Sequence, residues 1–279
     1  MDASSSRVFY YHADASPLGG YITHPFESVV PSQASSSLAP AGGYIAASVD
    51  HVHHHGIVSC KHAYSHISGA ARKGSGGWAT HVTSVVEGLN VQEVVTADRI
   101  VASLAVDHPH RGYIPEVTLV GTQFVNLRIA GRLVAPVLDL DLFCESRQAG
   151  SNGEKEERHK PWPEDPCFLD KAIRQSSTIA AIRDAPDWLK KRYDWVEHEE
   201  ERRKKGYVLC SLVKEVKEAE PETAFGHVVH VPGFGNVFLG ELIVDQSSFR
   251  LTMLRIEMGC LAHGTLSFTT ASSNGFTMP

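Results

Sequence analysis

The stretch GWATHVTSVVEGLNVQEVVTADRIVASLAVD, residues 77–107, decides the fold. It is rich in Val and Thr, and Gly, Asn and Asp interrupt its apolar runs, which is typical of short β-strands separated by turns. We predict strands over 78–89, 91–95 and 99–107, with a turn at 96–98. Apolar residues do not recur here with the 3.6-residue period of a helix, so the segment predicts β-structure.

The same pattern extends on both sides of this stretch, from residue 44 to residue 143. Turn residues recur roughly every 8 to 12 residues, which is the spacing of antiparallel sandwiches and barrels. Further strands are predicted at 44–54, 56–67, 116–120, 124–129 and 133–143, with a turn at 121–123 and a tight connection at 130–132. The predicted fold class is therefore mainly β, as an antiparallel sandwich or barrel.

Residues 1–43 differ from this pattern because they are rich in Ser, Ala, Gly and Pro. They nevertheless contain Phe9 and Phe26, and a disordered tail would lack such aromatic side chains. We therefore predict an N-terminal arm over 1–43 that docks through its aromatic residues and ends in a loop at 32–43.

A polar and helical segment at about 145–206 interrupts the β-pattern. Residues 145–164 are charged and poor in β-branched residues, so they predict a long surface loop. A helix is predicted to begin at Pro166, because Asp165 can cap it and proline is favoured at the first helical position. A second helix is predicted from 184 to 205, with Gly206 as its left-handed stop. The segment thus predicts an inserted helical pair.

After Gly206 the β-pattern returns. Strands are predicted at 207–216, 227–231, 237–244, 249–258 and 265–270, and the third and fourth of these form a hairpin. The strands after Gly206 would not be stable alone. We therefore expect both β-regions to share one core. We therefore predict a single β-rich domain over 44–279 that carries the loop and helices as an insertion.

Composition excludes several classes of protein. The 279 residues carry a net charge of -6, from 26 basic and 32 acidic side chains, with no clustered Lys and Arg face for nucleic acid. No segment approaches the roughly 20 consecutive apolar residues of a membrane span. The first residues show no basic region followed by an apolar stretch, so we expect no secretory signal. The five cysteines are odd in number and far apart, which favours reduced thiols in the cytoplasm. In an oxidising setting, Cys144 and Cys167 could pair.

The histidine-rich segment at 50–56 is the densest candidate for chemistry. Alternate residues of a strand share a face, so His51, His53 and His55 are expected to point the same way. Three imidazoles can bind Zn²⁺ or a similar divalent cation, and His62, His66 or His81 could supply a fourth ligand. Alternate positions on one strand lie roughly 7 Å apart, however, and metal ligands must converge, which favours a solvent-facing polar strand. No other cofactor is predicted.

A second candidate is a polar site that contains Asp139, Asp141 and His81. Asp139 and Asp141 alternate with leucines, so a strand would place both carboxylates on one face. Converging carboxylates are required for acid–base chemistry and for hard cations. An amphipathic strand with its polar face in water gives the same pattern, so both interpretations remain open.

Several phrases resemble known families. SVVEGLNVQEVVTADRIVA (84–102), GTQFVNLRIAGRLV (121–134) and FRLTMLRIEMGC (249–260) are similar to a family of uncharacterised bacterial proteins. The central phrases also loosely resemble the β-rich repeats of choice-of-anchor P proteins, which are surface-associated. The resemblance implies no activity, cofactor or catalytic residue.

The function we predict is a non-catalytic β-scaffold that self-associates, as a homo-oligomer, or binds a partner. The helical insertion carries Trp162, Trp188 and Trp195, and aromatic residues of this kind are enriched where partners dock. The alternative is a metal-dependent enzyme or a small-molecule-binding β-barrel that uses the histidine-rich strand. Whether the protein is an enzyme stays open at this point.

Overall fold

The computed structural model of the protein describes residues 8–73, 76–110, 114–143, 161–219, 223–259 and 261–278. Strands make up 58% of it and helices 15%, which confirms the mainly-β prediction. No helix among the described residues has both the length and the apolar character that are needed to cross a membrane.

The described residues form 21 strands and three α-helices. The strands before the insertion are β1 (Val8–Tyr10), β2 (Ala13–His24), β3 (Ser28–Gln33), β4 (Ser36–Ser37), β5 (Gly43–His54), β6 (Val58–Ala71), β7 (Gly77–Val91), β8 (Val95–Pro109), β9 (Glu116–Thr118), β10 (Gln123–Val125), β11 (Arg128–Ile129), β12 (Arg132–Leu133) and β13 (Ala135–Leu138). The helices are α1 (Pro166–Ala181), α2 (Asp187–Tyr193) and α3 (Glu199–Lys205). The strands after them are β14 (Val208–Ser211), β15 (Val213–Lys217), β16 (Ala224–Phe225), β17 (Val228–Val231), β18 (Gly235–Val244), β19 (Phe249–Gly259), β20 (His263–Ser273) and β21 (Phe276–Met278).

Two large antiparallel sheets form a sandwich. The first sheet runs in the order β12-β11-β8-β7-β6-β5, with β9 and β10 also paired to β8. The second runs β16-β17-β18-β19-β20-β2-β3, with β14 paired to β18 and β4 to β2. Neither strand path closes on itself among the described residues. Of the two predicted architectures the chain therefore adopts the sandwich.

In each sheet, one row of residues that runs across the strands interrupts the pairing register. We call these residues the skipped positions. In the first sheet the row contains His51, Lys61, Gly88 and Asp98, and in the second it contains Pro17, Gly240, Met253 and Thr269. Along β8, side chains that face the core are normally two residues apart. At the skipped position Asp98 the spacing becomes three residues, from Ala97 to Ile100, both of which are buried. Such irregularities bend and twist a sheet locally. On β5, the regular part of the strand therefore ends at Asp50.

One hydrophobic core joins both sheets, as the sequence predicts for its two β-regions. It contains Val86 and Ile100 from the first sheet together with Leu254 and Phe268 from the second. The predicted arm is built into the second sheet, because β2 lies between β20 and β3 and pairs with β20 over almost its whole length. The sequence did not predict β2 as a strand, because it contains Pro and Gly, which are depleted in strands.

The helical insertion covers the outer face of the second sheet. Helix α1 begins as predicted, because the Asp165 side chain accepts hydrogen bonds from the backbone N–H groups of Cys167 and Phe168, both at 3.0 Å. The second predicted helix is broken instead into α2, a 3₁₀ turn (Asp194–Glu197) and α3. Gly206 ends α3 in the left-handed conformation with φ of 77°, as predicted.

Two turns lie elsewhere than predicted. Residues 96–98 belong to β8, and the turn that joins β7 to β8 is at 92–94, within the predicted strand 91–95. The two central positions of this turn are Gln92 and Glu93, whereas Gly or Asn usually marks these positions. Residues 145–160 of the predicted loop lie outside the described residues, as does Cys144 with its predicted pairing to Cys167.

Candidate functional site

Strand β5 is an edge of the first sheet, and its free side has no paired strand among the described residues. Over 43–50 it pairs regularly with β6, and Ile45 and Val49 stand opposite the buried residues Ile67 and Ala63. The exposed fractions are nevertheless 37% for Ile45 and 71% for Tyr44. The strand thus offers a twelve-residue edge with unpaired backbone groups and partly uncovered apolar side chains.

At one end of the sandwich, four hairpin connections surround a cleft of about 390 Å³, which we call the hairpin cleft. Gly56 comes from the β5–β6 turn, and Gln92, Glu93 and Val94 form the β7–β8 turn. Gly233 and Phe234 come from the β17–β18 turn, and Leu261 and Ala262 from the β19–β20 connection. The cleft falls within the size range of small-ligand sites, roughly 300–1,000 Å³.

The β7–β8 turn is strained. Gln92 and Glu93 have φ angles of 49° and 58°, in the left-handed region that favours glycine and asparagine. The N–H of Val94 donates to the carbonyl of Val91 at 3.0 Å, which closes a type I′-like turn with neither favoured residue. The left-handed conformation costs an L-residue about 1–2 kcal/mol, so this turn keeps an unfavourable sequence at the cleft.

The three predicted metal ligands are not brought together. His51 lies at the skipped position of β5 with φ of 54°, His53 is exposed on the strand, and His55 is in the β5–β6 turn. The ring of His55 packs against Phe26 and His54, with centroids 4.6 and 4.4 Å away. Among the described residues, no three His, Cys, Asp or Glu side chains are grouped so that they could hold a metal ion.

The outer face of the first sheet has a polar surface that includes all three suggested fourth ligands, His62, His66 and His81. His62 Nδ1 lies 2.6 Å from Asp50 Oδ1, and Arg99 donates to the Tyr64 hydroxyl at 2.8 Å. His81 Nε2 lies 3.2 Å from Ser103 Oγ, and burial together with the charge of His66 lowers the pKa of His81. These contacts are pairwise and lie along a solvent-facing sheet surface.

Asp139 and Asp141 do not share a strand face. Strand β13 ends at Leu138, and residues 140–143 form a turn that buries Asp139 and leaves Asp141 exposed. The Asp139 carboxylate lies 3.1 Å from Lys214 Nζ and 3.8 Å from Lys171 Nζ. Its backbone N–H also donates to the carbonyl of Leu212 at 2.7 Å. Asp139 therefore joins this turn to the insertion, and His81 belongs to a different surface.

The three tryptophans of the predicted partner surface have different environments. Trp162 is 5% exposed, packs against Phe143 and Phe168, and donates to the carbonyl of Pro115 at 2.8 Å. Trp195 is half-buried and stacks under Lys205 Nζ. Trp188 is 41% exposed. The prediction was therefore wrong for the side chain of Trp162, which belongs to the core.

A buried charge cluster joins α2 to the second sheet. We call it the Glu241 cluster, and its members are Arg192, Tyr193, His227, Glu241 and Arg255. Glu241 accepts from Arg192 Nη2 and Arg255 Nη2, both at 2.9 Å, from Arg255 Nε, and from the Tyr193 hydroxyl at 3.2 Å. His227 Nε2 lies 2.8 Å from the same hydroxyl. Both carboxylate oxygens are thus occupied by groups of the protein itself.

The pKa values in the Glu241 cluster follow from this geometry. Burial by itself would raise the pKa of Glu241, but the hydrogen bonds and charge of Arg255, with the charge of Arg192, lower it to about 2. Burial lowers the pKa of His227 to about 4, and burial raises the pKa of Tyr193. Perturbed groups of this kind often mark functional sites, but here they bond one another under a helix. The cluster acts as an internal attachment for the insertion.

Sequence reasoning missed both the Glu241 cluster and the strained turn. A signal for the cluster was available, because Glu241 and Arg255 interrupt the apolar runs VFLGELIV (237–244) and LTMLRIEM (251–258), and buried charges require partners. For the turn, only the polar pair Gln92-Glu93 between two Val-rich runs was available.

The fold and these sites define an antiparallel β-sandwich protein with a helical insertion on one outer face. Residues 9–245 match the family described as a domain of unknown function (DUF8256), and the chain belongs to this family. No curated protein and no solved structure matches the chain. The expected membership in an uncharacterised family is thus confirmed, whereas the resemblance to choice-of-anchor P proteins stays a prediction.

Proposed function

We propose that this protein is a non-catalytic β-scaffold that self-associates by pairing strand β5 with β5 of a second copy. The single observation that carries the proposal is the free edge of β5 over 44–50. The cytoplasmic location expected from its reduced thiols belongs to the same proposal.

The composition of the edge supports pairing. Natural edge strands are protected by lysine, proline, irregularities or short length. The other ends of the two main strand paths follow this rule among the described strands: β12 and β16 have two residues each, and β3 contains Pro31. Strand β5 has twelve residues and lacks Lys, Arg and Pro, and its skipped position at His51 lies beyond 44–50. This stretch is the least protected of these edges.

Symmetry defines how two copies would pair. A two-fold axis normal to the sheet makes the strands antiparallel and keeps each sheet face continuous, so inward-facing residues pair with inward-facing residues. An axis through Ala47 is central to the stretch 44–50. It sets Ile45 opposite Val49 of the second copy on the inner face, which covers the exposed surface of Ile45. On the outer face, Ala46 stands opposite Ser48 of the second copy.

This register gives a charge-based test with a matched control. Ala46 and Ser48 are exposed on the outer face, so long polar side chains there leave the core unchanged. The double variant Ala46→Lys/Ser48→Lys places two pairs of like charges opposite each other in the dimer. The variant Ala46→Lys/Ser48→Glu places two pairs of opposite charges there instead.

The measurement is the molar mass in solution by light scattering over a concentration series, with circular dichroism as a check of folding. We expect a concentration-dependent dimer for the native sequence and for the Lys/Glu variant, and a monomer for the Lys/Lys variant. A native protein that stays monomeric at every concentration would contradict the proposal. So would a Lys/Lys variant that dimerises as the native protein does, or a Lys/Glu variant that is monomeric.

A further inference from the structure

We propose that the hairpin cleft binds a small organic cation, in which an ammonium group is attached to an apolar body. The site is separate from the edge stretch 44–50, so it does not depend on self-association. Its ligand chemistry follows from the side chains that line the cleft.

One side of the hairpin cleft is apolar. Phe234 is 6% exposed and Ala262 is 3% exposed, so they form a nearly buried wall. Leu261, by contrast, is 84% exposed at the same cleft. A large aliphatic side chain in this position gains by contact with an apolar ligand, because that contact removes its surface from water.

The other side of the cleft carries a negative charge. Glu93 lines the cleft, and its carboxylate has no salt-bridge partner within the described part of the chain. Among the described residues, neither Lys nor Arg lines this cleft. A carboxylate beside apolar surface favours a ligand with one positive charge and an apolar body over a neutral or anionic one.

The strain of the β7–β8 turn is an independent indication. Glu93 holds its left-handed conformation although glycine would adopt it without cost. Strained residues of this kind cluster at active sites and ligand clamps, where the strain is part of the mechanism. The N–H of Glu93 donates to Asn90 Oδ1 at 2.8 Å, which fixes the residue at the edge of the cleft.

The test uses phenethylammonium as the probe and 2-phenylethanol as its neutral counterpart, titrated into the full-length protein by calorimetry. A second cationic probe, N-acetyl-lysine methylamide, distinguishes a free amine from the lysine side chain of a peptide. We expect at least one of the two cations to bind at least threefold more tightly than the alcohol, as a partly exposed charge pair allows. The tighter of the two cations identifies the source.

Three variants locate the binding. Glu93→Gln should abolish the preference for the cation, whereas Glu200→Gln, which removes a carboxylate from the exposed face of α3, should leave it unchanged. Gly233→Asn should weaken both phenyl probes, because Gly233 lines the cleft and a side chain there takes up part of its space. The variant should still fold, because asparagine tolerates the φ of 71° and a Cβ meets nothing within 4 Å. The proposal is overturned if neither cation binds at millimolar concentration, if the alcohol binds as well as the cations, or if the preference survives Glu93→Gln.

Discussion

The backbone N–H of Gln92 donates a 3.0 Å hydrogen bond to the carbonyl of Ile57, and this bond joins two neighbouring hairpin turns. In both turns a non-glycine residue has a positive φ: His55 at 51° in the first, and Gln92 and Glu93 in the second. The bond therefore joins two turns with positive φ angles at one side of the hairpin cleft.

The first prediction concerns that backbone. Glu93→Gly should raise the free energy of unfolding by about 1 kcal/mol, because glycine adopts a positive φ without the steric cost that other residues have. Glu93→Ala is the matched control, since it removes the carboxylate but keeps the unfavourable φ. Urea denaturation measures both, and equal stabilities of the two variants would contradict the strain.

The second prediction concerns the Glu241 cluster. Glu241→Gln should lower the free energy of unfolding by about 3–5 kcal/mol, because it leaves the half-buried Arg192 without its counter-charge and leaves the buried Arg255 with only the partly exposed Glu257. Glu257→Gln is the comparison, because Glu257 also bonds Arg255 but is 36% exposed in its side chain. Its effect should stay below about 1 kcal/mol. Equal effects in urea denaturation would exclude the internal attachment that we describe.

The third prediction concerns pH. The folded-state pKa of His227 is about 4, below its ordinary value of 6.5, so the neutral form is favoured in the native state. The stability it contributes is therefore complete above pH 6.5 and is lost as the pH falls towards 4. Each pKa unit corresponds to about 1.36 kcal/mol, so the loss between pH 7 and pH 4.5 should be about 2–3 kcal/mol.

Chemical denaturation at the two pH values measures this loss. The His227→Gln variant should lose less stability over the same interval, because glutamine does not titrate. His108, whose pKa burial also lowers to about 4, continues to titrate in that variant. Glu241 adds to the loss of stability only below this pH interval, since its stabilisation is complete above its ordinary pKa of 4.5 and is lost as the pH falls towards 2. An unchanged pH dependence in His227→Gln would refute the assignment.

The fourth prediction separates two tryptophans. Trp162→Ala should destabilise the protein by about 3–5 kcal/mol, because the buried indole fills space between Phe143 and Phe168 and bonds Pro115. Trp188→Ala should cost about 1 kcal/mol, since Trp188 is 41% exposed. Urea denaturation of both variants measures the loss in free energy of unfolding. Similar losses would contradict the different burial of the two side chains.

The sequence correctly predicted features that depend on only a few neighbouring residues. The hairpin of β18 and β19 follows from two apolar runs around Asp245, whose side chain accepts from the N–H groups of Ser247 and Ser248. The start of α1 at Asp165 and the end of α3 at Gly206 follow equally from capping chemistry. These features depend on backbone conformation near one residue.

Features that depend on distant parts of the chain could be decided only by the tertiary structure. Strand β2 pairs with β20, some 250 positions later, and that pairing stabilises a sequence that resembles an irregular arm. The Glu241 cluster joins Arg192 and His227 to two strands of the second sheet. The hairpin cleft needs four separate turns to meet at one end. Sequence by itself determined the mainly-β class, the start of α1 and the end of α3, because propensity and capping act locally. Tertiary structure decided which of them pack together, because sheet pairing and burial join residues that are far apart along the chain.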